Sequence, residues 1–322
     1  MEPLGLAELS ACADQFDDAV SLSPDIDRFC SSSAWVLSAA ETLMSPRASA
    51  IQRGEHGFFA VMKSTHGELP CFEPLELAWG LACPLLGRDV EALVDEVADH
   101  LAQRTDWIGC LIPGVTRDGP HQRALTRAGR PWYVLHNATT QRHIASLDGG
   151  VDGFLRRRSA NFRKSLHKSL RAARAAGIEF ETAGHAPDSA ALYERIMAVE
   201  AGSWKSLAGV GISEGAMRDF YAAMLPRLQA KGRARVMFAR HQDADIGYIM
   251  GAVFDGEYRG LQFSYQQPYA RYSIGSLCQL HQIEALCEEG VRSYDLGTEV
   301  PYKARWAERT FLTELLILVR DV

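Results

Sequence analysis

The chain has 322 residues, 47% of them hydrophobic and 23% charged. This is a globular composition, long enough for two medium domains, and it excludes intrinsic disorder. The formal net charge of −6 excludes a general nucleic-acid coat, so any affinity for a polyanion has to be local.

In chain order, the first half mixes short elements. Its N-terminus "MEPLGLAELSACADQF" has neither a basic n-region nor an apolar h-region. No apolar run approaches the ~20 residues needed to cross a bilayer, so no membrane span is expected. Strands are expected at 57–63, 106–113, 131–136 and 139–147, and helices at 33–44, 88–104 and 121–129. The cluster "SLDGGVDG" (146–153) reads as a domain boundary, giving domains 1–149 and 150–322. Seven cysteines, scattered and without a C-x-x-C, suggest the reduced thiols of a cytoplasmic protein rather than a disulfide frame or zinc site.

The second half opens on "FLRRRSANFRKSLHKSLRAARAAG" (154–177), a basic helix with eight Lys or Arg residues and no acid. Phe162, Leu166, Leu170 and Ala173 recur at helical spacing, leaving a basic face for solvent or for a phosphorylated, acidic or RNA-linked substrate. A strand at 178–183 and helices at 187–205 and 213–232 follow; Pro187 suits the first turn of the former. Three alternating runs, 233–241, 244–255 and 257–266, are joined by links short enough for an antiparallel meander. Next come a helix at 275–289, a strand at 291–297, a short helix at 302–308 and a last strand at 311–319.

That order, β α α β β β α β α β, resembles the GNAT acyltransferase superfamily. The stretches "SANFRKSLHKSLRAARAAG", "SWK" (203–205), "YARYSIGSL", "YDLG" and "YK" are similar to landmarks of the CelD/BcsL-type acetyltransferases, which are related to the Fem-type peptidoglycan aminoacyltransferases. The resemblance implies an α/β (α+β) GNAT fold with a mixed central sheet flanked by helices. It further implies two GNAT-like domains in tandem, the first degenerate. No tightly bound cofactor is expected, and acyl-CoA would be a co-substrate. The acyl group would pass to a primary amine of a small molecule, sugar or peptide by direct attack in a ternary complex.

The same resemblance assigns candidate residues. In a GNAT fold the fourth strand and third helix splay from the fifth strand, and the thioester lies in the gap. The helix start, with its unpaired N–H groups and positive dipole end, faces the pyrophosphate. Tyr272, Ser273, Gly275 and Ser276 fall there, although "YSIGSL" keeps only the middle glycine of the Q/R-x-x-G-x-G/A signature. A bulge around Ser264 and Tyr265 is expected to offer an N–H to the carbonyl oxygen. Asp295 and Glu299 are candidate proton acceptors, and Tyr302 is the candidate acid for the departing thiolate. Trp204, Lys205, Tyr269 and Lys303 would contact the acceptor, with Lys303 holding an acidic group or a phosphate. Gly202, Gly209, Gly211 and Gly215, in or beside the segment "AGSWKSLAGVGIS" (201–213), make this link a candidate lid. Each has a plainer reading: Asp295 as a buried acid fixing the turn, Glu299 with Lys303 as a surface pair, the tyrosines and Trp204 as packing groups, and Gly275 as a turn residue. His281 and Glu284 lack a third ligand, so no catalytic metal is expected.

Two rival functions remain open on the sequence. One is transfer from aminoacyl-tRNA, as Fem-type relatives imply, with the basic helix meeting RNA; the long helical arm common in those enzymes has little room here. The other is a catalytically silent module that uses the basic face to hold an acidic partner.

Overall fold

The computed structural model describes residues 1–44, 47–184, 188–207 and 211–321, apart from the side chains of Trp204 and Leu207. Pro187 and Gly209 lie outside the described residues.

The elements follow the hydrophobic periods. The first half runs β1 (Glu2–Leu4), α1 (Leu6–Ala11), α2 (Ala13–Leu22), α3 (Arg28–Ser31), α4 (Ser33–Thr42), β2 (Ile51–Arg53), β3 (Phe58–Phe59), β4 (Val61–His66), β5 (Leu69–Pro74), β6 (Leu85–Leu86), α5 (Val90–Ala102), β7 (Gly109–Thr116), α6 (Pro120–Ala128) and β8 (Trp132–Ser146). The second half runs α7 (Gly150–Arg156), α8 (Ala160–Ala175), β9 (Ile178–Thr182), α9 (Ser189–Ala201), α10 (Trp204–Leu207), α11 (Gly215–Ala230), β10 (Ala234–His241), β11 (Ala244–Phe254) and β12 (Glu257–Tyr265). It continues with a 3-10 turn (Gln267–Tyr272), α12 (Ile274–Glu288), β13 (Ser293–Thr298), a 3-10 turn (Lys303–Arg305) and β14 (Arg309–Arg320).

Contacts divide the chain into two units, Met1–Gln141 with Phe311–Val322, and Arg142–Thr310. The boundary expected at 149/150 falls a few residues later than this division, and the last strand, assigned on sequence to the second domain, counts with the first. The reason is its partner: β14 pairs antiparallel with β7, from Thr313↔Thr116 to Val319↔Gly109. An apolar strand does not name its neighbour.

In the first unit, β1, β2, β3 and β6 form a small sheet, while β4, β5 and β7 lie side by side in another. β4 and β5 are antiparallel, and β5 pairs parallel with β7 across α5. The second unit repeats that connection. β11 and β12 are antiparallel, and β12 pairs parallel with β13 across α12. Its sheet continues through β10 to β9, and β13 pairs on its other side with the end of β8, Ser293↔Ser146.

Local chemistry explains the meander of the second unit. Asp255 and Gly256 both take positive φ, 50° and 74°, the geometry of a two-residue hairpin turn that matches strand twist. Side chains alternate along β11, so Ile249 packs on α12 residues Ile274, Leu277 and Cys278 while Tyr248 reaches Glu200 of α9. Helices therefore cover both faces of this mixed sheet.

Candidate active site

β12 and β13 run together for three residue pairs only, Glu257↔Ser293, Tyr258↔Tyr294 and Arg259↔Asp295. Beyond Arg259 they part. Gly260 sits at the fork, where an added Cβ would stand 2.8 Å from the Tyr294 ring. The bulge of β12 is at Leu261, since Met250 pairs with Gln262 and Gly251 with Gly260. It is three residues before the expected position at Ser264. The cause is the glycine pair: Gly251 has no room for a Cβ against Tyr258 and the Arg259 carbonyl, so the strands bend there, not at the polar run. Ser264 instead pairs with Tyr248, fully buried, and its hydroxyl has no hydrogen-bond partner among the described residues.

Two cavities meet at this fork. The larger, about 640 Å³, is walled by α8, the end of β12, the start of α12 and the turn after β13. The smaller, about 240 Å³, lies between the parted strands. Phe263 and Tyr302 line both. Their rings meet edge to face, 5.9 Å between centroids.

The first turn of α12 opens on the larger cavity through Ser273, Gly275 and Ser276. Ser273 is the N-cap in the left-handed region and supplies no side-chain cap, so the amide donors of this turn are not used by a capping side chain. Gly275 is required by packing: a Cβ there would lie 2.8 Å from Phe263 Cε2. The corresponding helix of the first unit differs. α5 is capped by the Asp89 carboxylate, which accepts from Ala92 N, and carries Glu91 in its first turn. An acidic, side-chain-capped helix start disfavours an anion.

The opposite wall is one that the sequence reading overlooked. Asn161, Ser165 and Ser169 line the cavity from α8. At i, i+4 and i+8 they drift only about 40° per step around a helix. The spacing was visible in the sequence, hidden among basic residues. The apolar stripe faces inward as expected, with Leu166 and Ala173 buried, and Phe162 packs edge to face on Trp306 at 4.9 Å. The basic residues divide into two sets. Arg157 and Arg158 pair with Glu308, and Arg163 donates to the carbonyls of Leu155 and Arg158. Lys164, Lys168 and Arg171 are exposed on the adjoining face of the helix.

The structure places the remaining candidates as follows. Tyr302 is 38% exposed, and desolvation pushes its hydroxyl up to about 12. Tyr265 lines the larger cavity. Tyr269 packs against His241, with its hydroxyl 3.1 Å from Nδ1, and Tyr272 lies under the Arg271 guanidinium; neither lines either of these two cavities. Glu299 is exposed and lines neither. Asp295 is buried and fully engaged: Oδ2 accepts from both Arg142 and Arg259, and Oδ1 from the Gly297 N–H at 2.7 Å. Lys205 and Lys303 both line the smaller cavity. Lys303 is surrounded by Val300, Tyr302 and the Thr298 carbonyl rather than paired with Glu299 at the surface. Trp204 opens α10 beside Lys205.

Residues 160–304 match the family described as an acetyltransferase (GNAT) domain. No curated protein matches the chain. Among solved structures the fold is similar to that of FemX, at 11% identity over 96% of each chain with a TM-score of 0.70. It is also similar to a conserved protein of unknown function from Bacteroides thetaiotaomicron, at 10% identity over 98% of each chain and a TM-score of 0.61. A third likeness is to L-PGS from Bacillus licheniformis, at 13% identity, 85% of this chain, 84% of that one and a TM-score of 0.55. Likeness at such identities concerns the fold alone. The parted strands and the helix start that opens on the groove lie within the segment that matches the acetyltransferase (GNAT) domain family, and the fold of the whole chain is similar to that of FemX.

Proposed function

We propose that the second unit is an N-acyltransferase that takes an acyl group from acyl-CoA and delivers it to a primary amine. One observation carries the reading: a groove of about 640 Å³ leads from the open start of α12 to Tyr302 at the fork of β12 and β13. The phosphates of the donor would meet the N–H groups around Gly275, and the Ser and Asn side chains of α8 would border its arm. The thioester would then lie beside Phe263 and Tyr302, with the amine arriving from the smaller cavity. N–H groups at the Leu261 bulge are the candidates to hold the carbonyl oxygen. The Tyr302 hydroxyl, kept protonated by desolvation, is the candidate donor to the departing sulfur. Asp295 acts here as a positioning residue that fixes Arg259 and the strand end.

A second reading, transfer from aminoacyl-tRNA, is favoured by the exposed row Lys164, Lys168 and Arg171 beside the groove. Melting curves decide between the two. Coenzyme A at millimolar concentration should raise the melting temperature by mass action. No shift with coenzyme A, together with a shift from charged tRNA, transfers the assignment to the second reading.

A further inference from the structure

The smaller cavity lies in the mouth of the fork, between Gly260, Leu261 and Gln262 of β12 and Tyr294 and Leu296 of β13. Three side chains bring hydrogen-bond donors to it from three separate elements: Lys205 from α10, Gln279 from α12 and Lys303 from the turn after β13. Gln279 is only 4% exposed, and its Nε2 has no hydrogen-bond partner among the described residues. A buried amide donor without a partner destabilises a fold, so one kept in the wall of a cavity points to an acceptor atom that comes from outside.

The two lysines add charge to that donor. Lys205 Nζ donates to Gln262 Oε1 at 3.0 Å and to the Phe263 carbonyl at 2.6 Å, and Lys303 Nζ donates to the Thr298 carbonyl at 2.7 Å. All of these acceptors are neutral. An ammonium has three donors, so these bonds occupy two on Lys205 and one on Lys303. No carboxylate is among the residues lining the cavity. The acids nearby are already taken. Asp295 is held by Arg142 and Arg259, and Glu200 accepts from Tyr248 at 2.6 Å and Ser203 at 3.2 Å. Burial of ammonium groups is unfavourable, and here it outweighs the attraction of Glu200 for Lys205 and of Asp295 for Lys303. Desolvation accordingly depresses both lysines, Lys303 to about 8, helped there by Arg259.

Size and position narrow the ligand. At about 240 Å³ the cavity is smaller than the ~300–1,000 Å³ of sites for drug-sized ligands. It shares Phe263 and Tyr302 with the donor groove, so a small molecule anchored in it has an amine within reach of a thioester there.

We propose that this cavity is the acceptor subsite and takes a small amine bearing a carboxylate, of the amino-acid type, whose oxyanion is held by Lys205, Lys303 and Gln279. The role of the amine rests on the acyl-transfer reading; the anion site does not. In the reaction the amine nitrogen bonds to the thioester carbon, the carbon–sulfur bond breaks with its electron pair on sulfur, and the proton lost by nitrogen ends on the thiol.

The test uses the full chain and three matched probe sets: the common α-amino acids, their amides, and the corresponding 1-aminoalkylphosphonates. Binding is read by titration calorimetry without donor, and acetyl transfer from acetyl-CoA by mass spectrometry of the N-acetylated products. At least one amino acid should bind at least ~10-fold tighter than its amide, and Lys205→Met and Gln279→Leu should erase that preference. Gln279→Leu, which removes the orphan amide, should also melt no lower than the parent, so lost binding in that variant cannot be attributed to misfolding. Equal binding of amino acids and amides, or no binding of any amino acid, overturns the inference. Preference for the phosphonates overturns the assignment to a carboxylate. Binding of amino acids through these residues without acetyl transfer upholds the anion site and overturns the acyl-CoA reading. Acetylation of amides as readily as amino acids upholds that reading and overturns the inference.

Discussion

Arg259 donates from Nη1 to Oδ2 of Asp295 at 2.6 Å, and the two occupy the last register pair before β12 and β13 separate. The pair holds the fork at its apex. Arg142 from the end of β8 joins the same oxygen, so one carboxylate compensates two guanidiniums that are each 5% exposed.

Asp295→Asn should therefore act on stability before it acts on chemistry. Removing the charge breaks the buried ion pairs that Asp295 makes with Arg142 and Arg259, a loss of about 3–5 kcal/mol for a broken buried pair. Urea denaturation of parent and variant measures it. A variant with unchanged stability and abolished turnover would return Asp295 to the reacting groups.

What the sequence disclosed about this site follows from the range of each signal. The meander 234–265 was readable because alternation and the Asp255–Gly256 turn are local. The helix of "YSIGSL" and the strand holding Asp295 were readable for the same reason, as was the stripe of Leu166 and Ala173. Partner choice is not local. The run 131–147 was expected to give two strands, 131–136 and 139–147, yet it forms one, Trp132–Ser146. β14 was legible as a strand, but not as a neighbour of β7. The Leu261 bulge was missed because it depends on Gly251 of the adjacent strand and Gly260 together. Gln279 gave no signal at all, since a glutamine in an apolar helix becomes notable only when its amide is seen buried without a partner.

Lys303 makes stability depend on pH in a definite direction. Burial lowers its ammonium to about 8 in the native state, against about 10.5 for an ordinary lysine. Below pH ~8 both states carry the proton and the native state bears the full penalty. Between about 8 and about 10.5 the unfolded state binds more protons, so native stability rises with pH from this group. Lys303→Met should accordingly stabilise the ligand-free protein most below pH ~8, with the advantage fading towards pH ~10.5. Denaturation midpoints of the two proteins across that interval check it; an advantage that does not change with pH would mean that Lys303 is not desolvated.

Tyr302→Phe should lower kcat by about 10–100-fold with the KM for acyl-CoA nearly unchanged, because a bond to the departing sulfur strengthens mainly in the transition state. The ring still packs on Phe263, so the fold should persist. With its hydroxyl pushed up to about 12, the tyrosine stays protonated from about pH 6 to about pH 10, and the ratio of parent to variant kcat should be flat across that range. Single-turnover rates give the ratio free of product release. Unchanged chemistry in Tyr302→Phe would leave the residue as a packing group.

The Ser165 and Ser169 wall of α8 provides the cleanest probe of where the donor lies. Both side chains face the groove of about 640 Å³; Ser165 is exposed and Ser169 half-buried. Phenylalanine has nearly the same helix propensity as serine, so Ser165→Phe and Ser169→Phe should shift stability by no more than about 0.5 kcal/mol. Each ring would occupy space opposite Gly275 and Ser276, where the arm of coenzyme A is placed. The KM for acyl-CoA should rise by at least ~10-fold and the melting shift with coenzyme A should shrink to match. Lys168→Glu serves as the contrast, because Lys168 is exposed on the adjoining face and reaches a phosphate only through a salt-screened attraction. Its effect on donor KM should fade at high ionic strength, whereas the block by phenylalanine should not. If both phenylalanine variants keep the parental KM while Lys168→Glu removes binding altogether, the donor lies along the basic row and outside the groove.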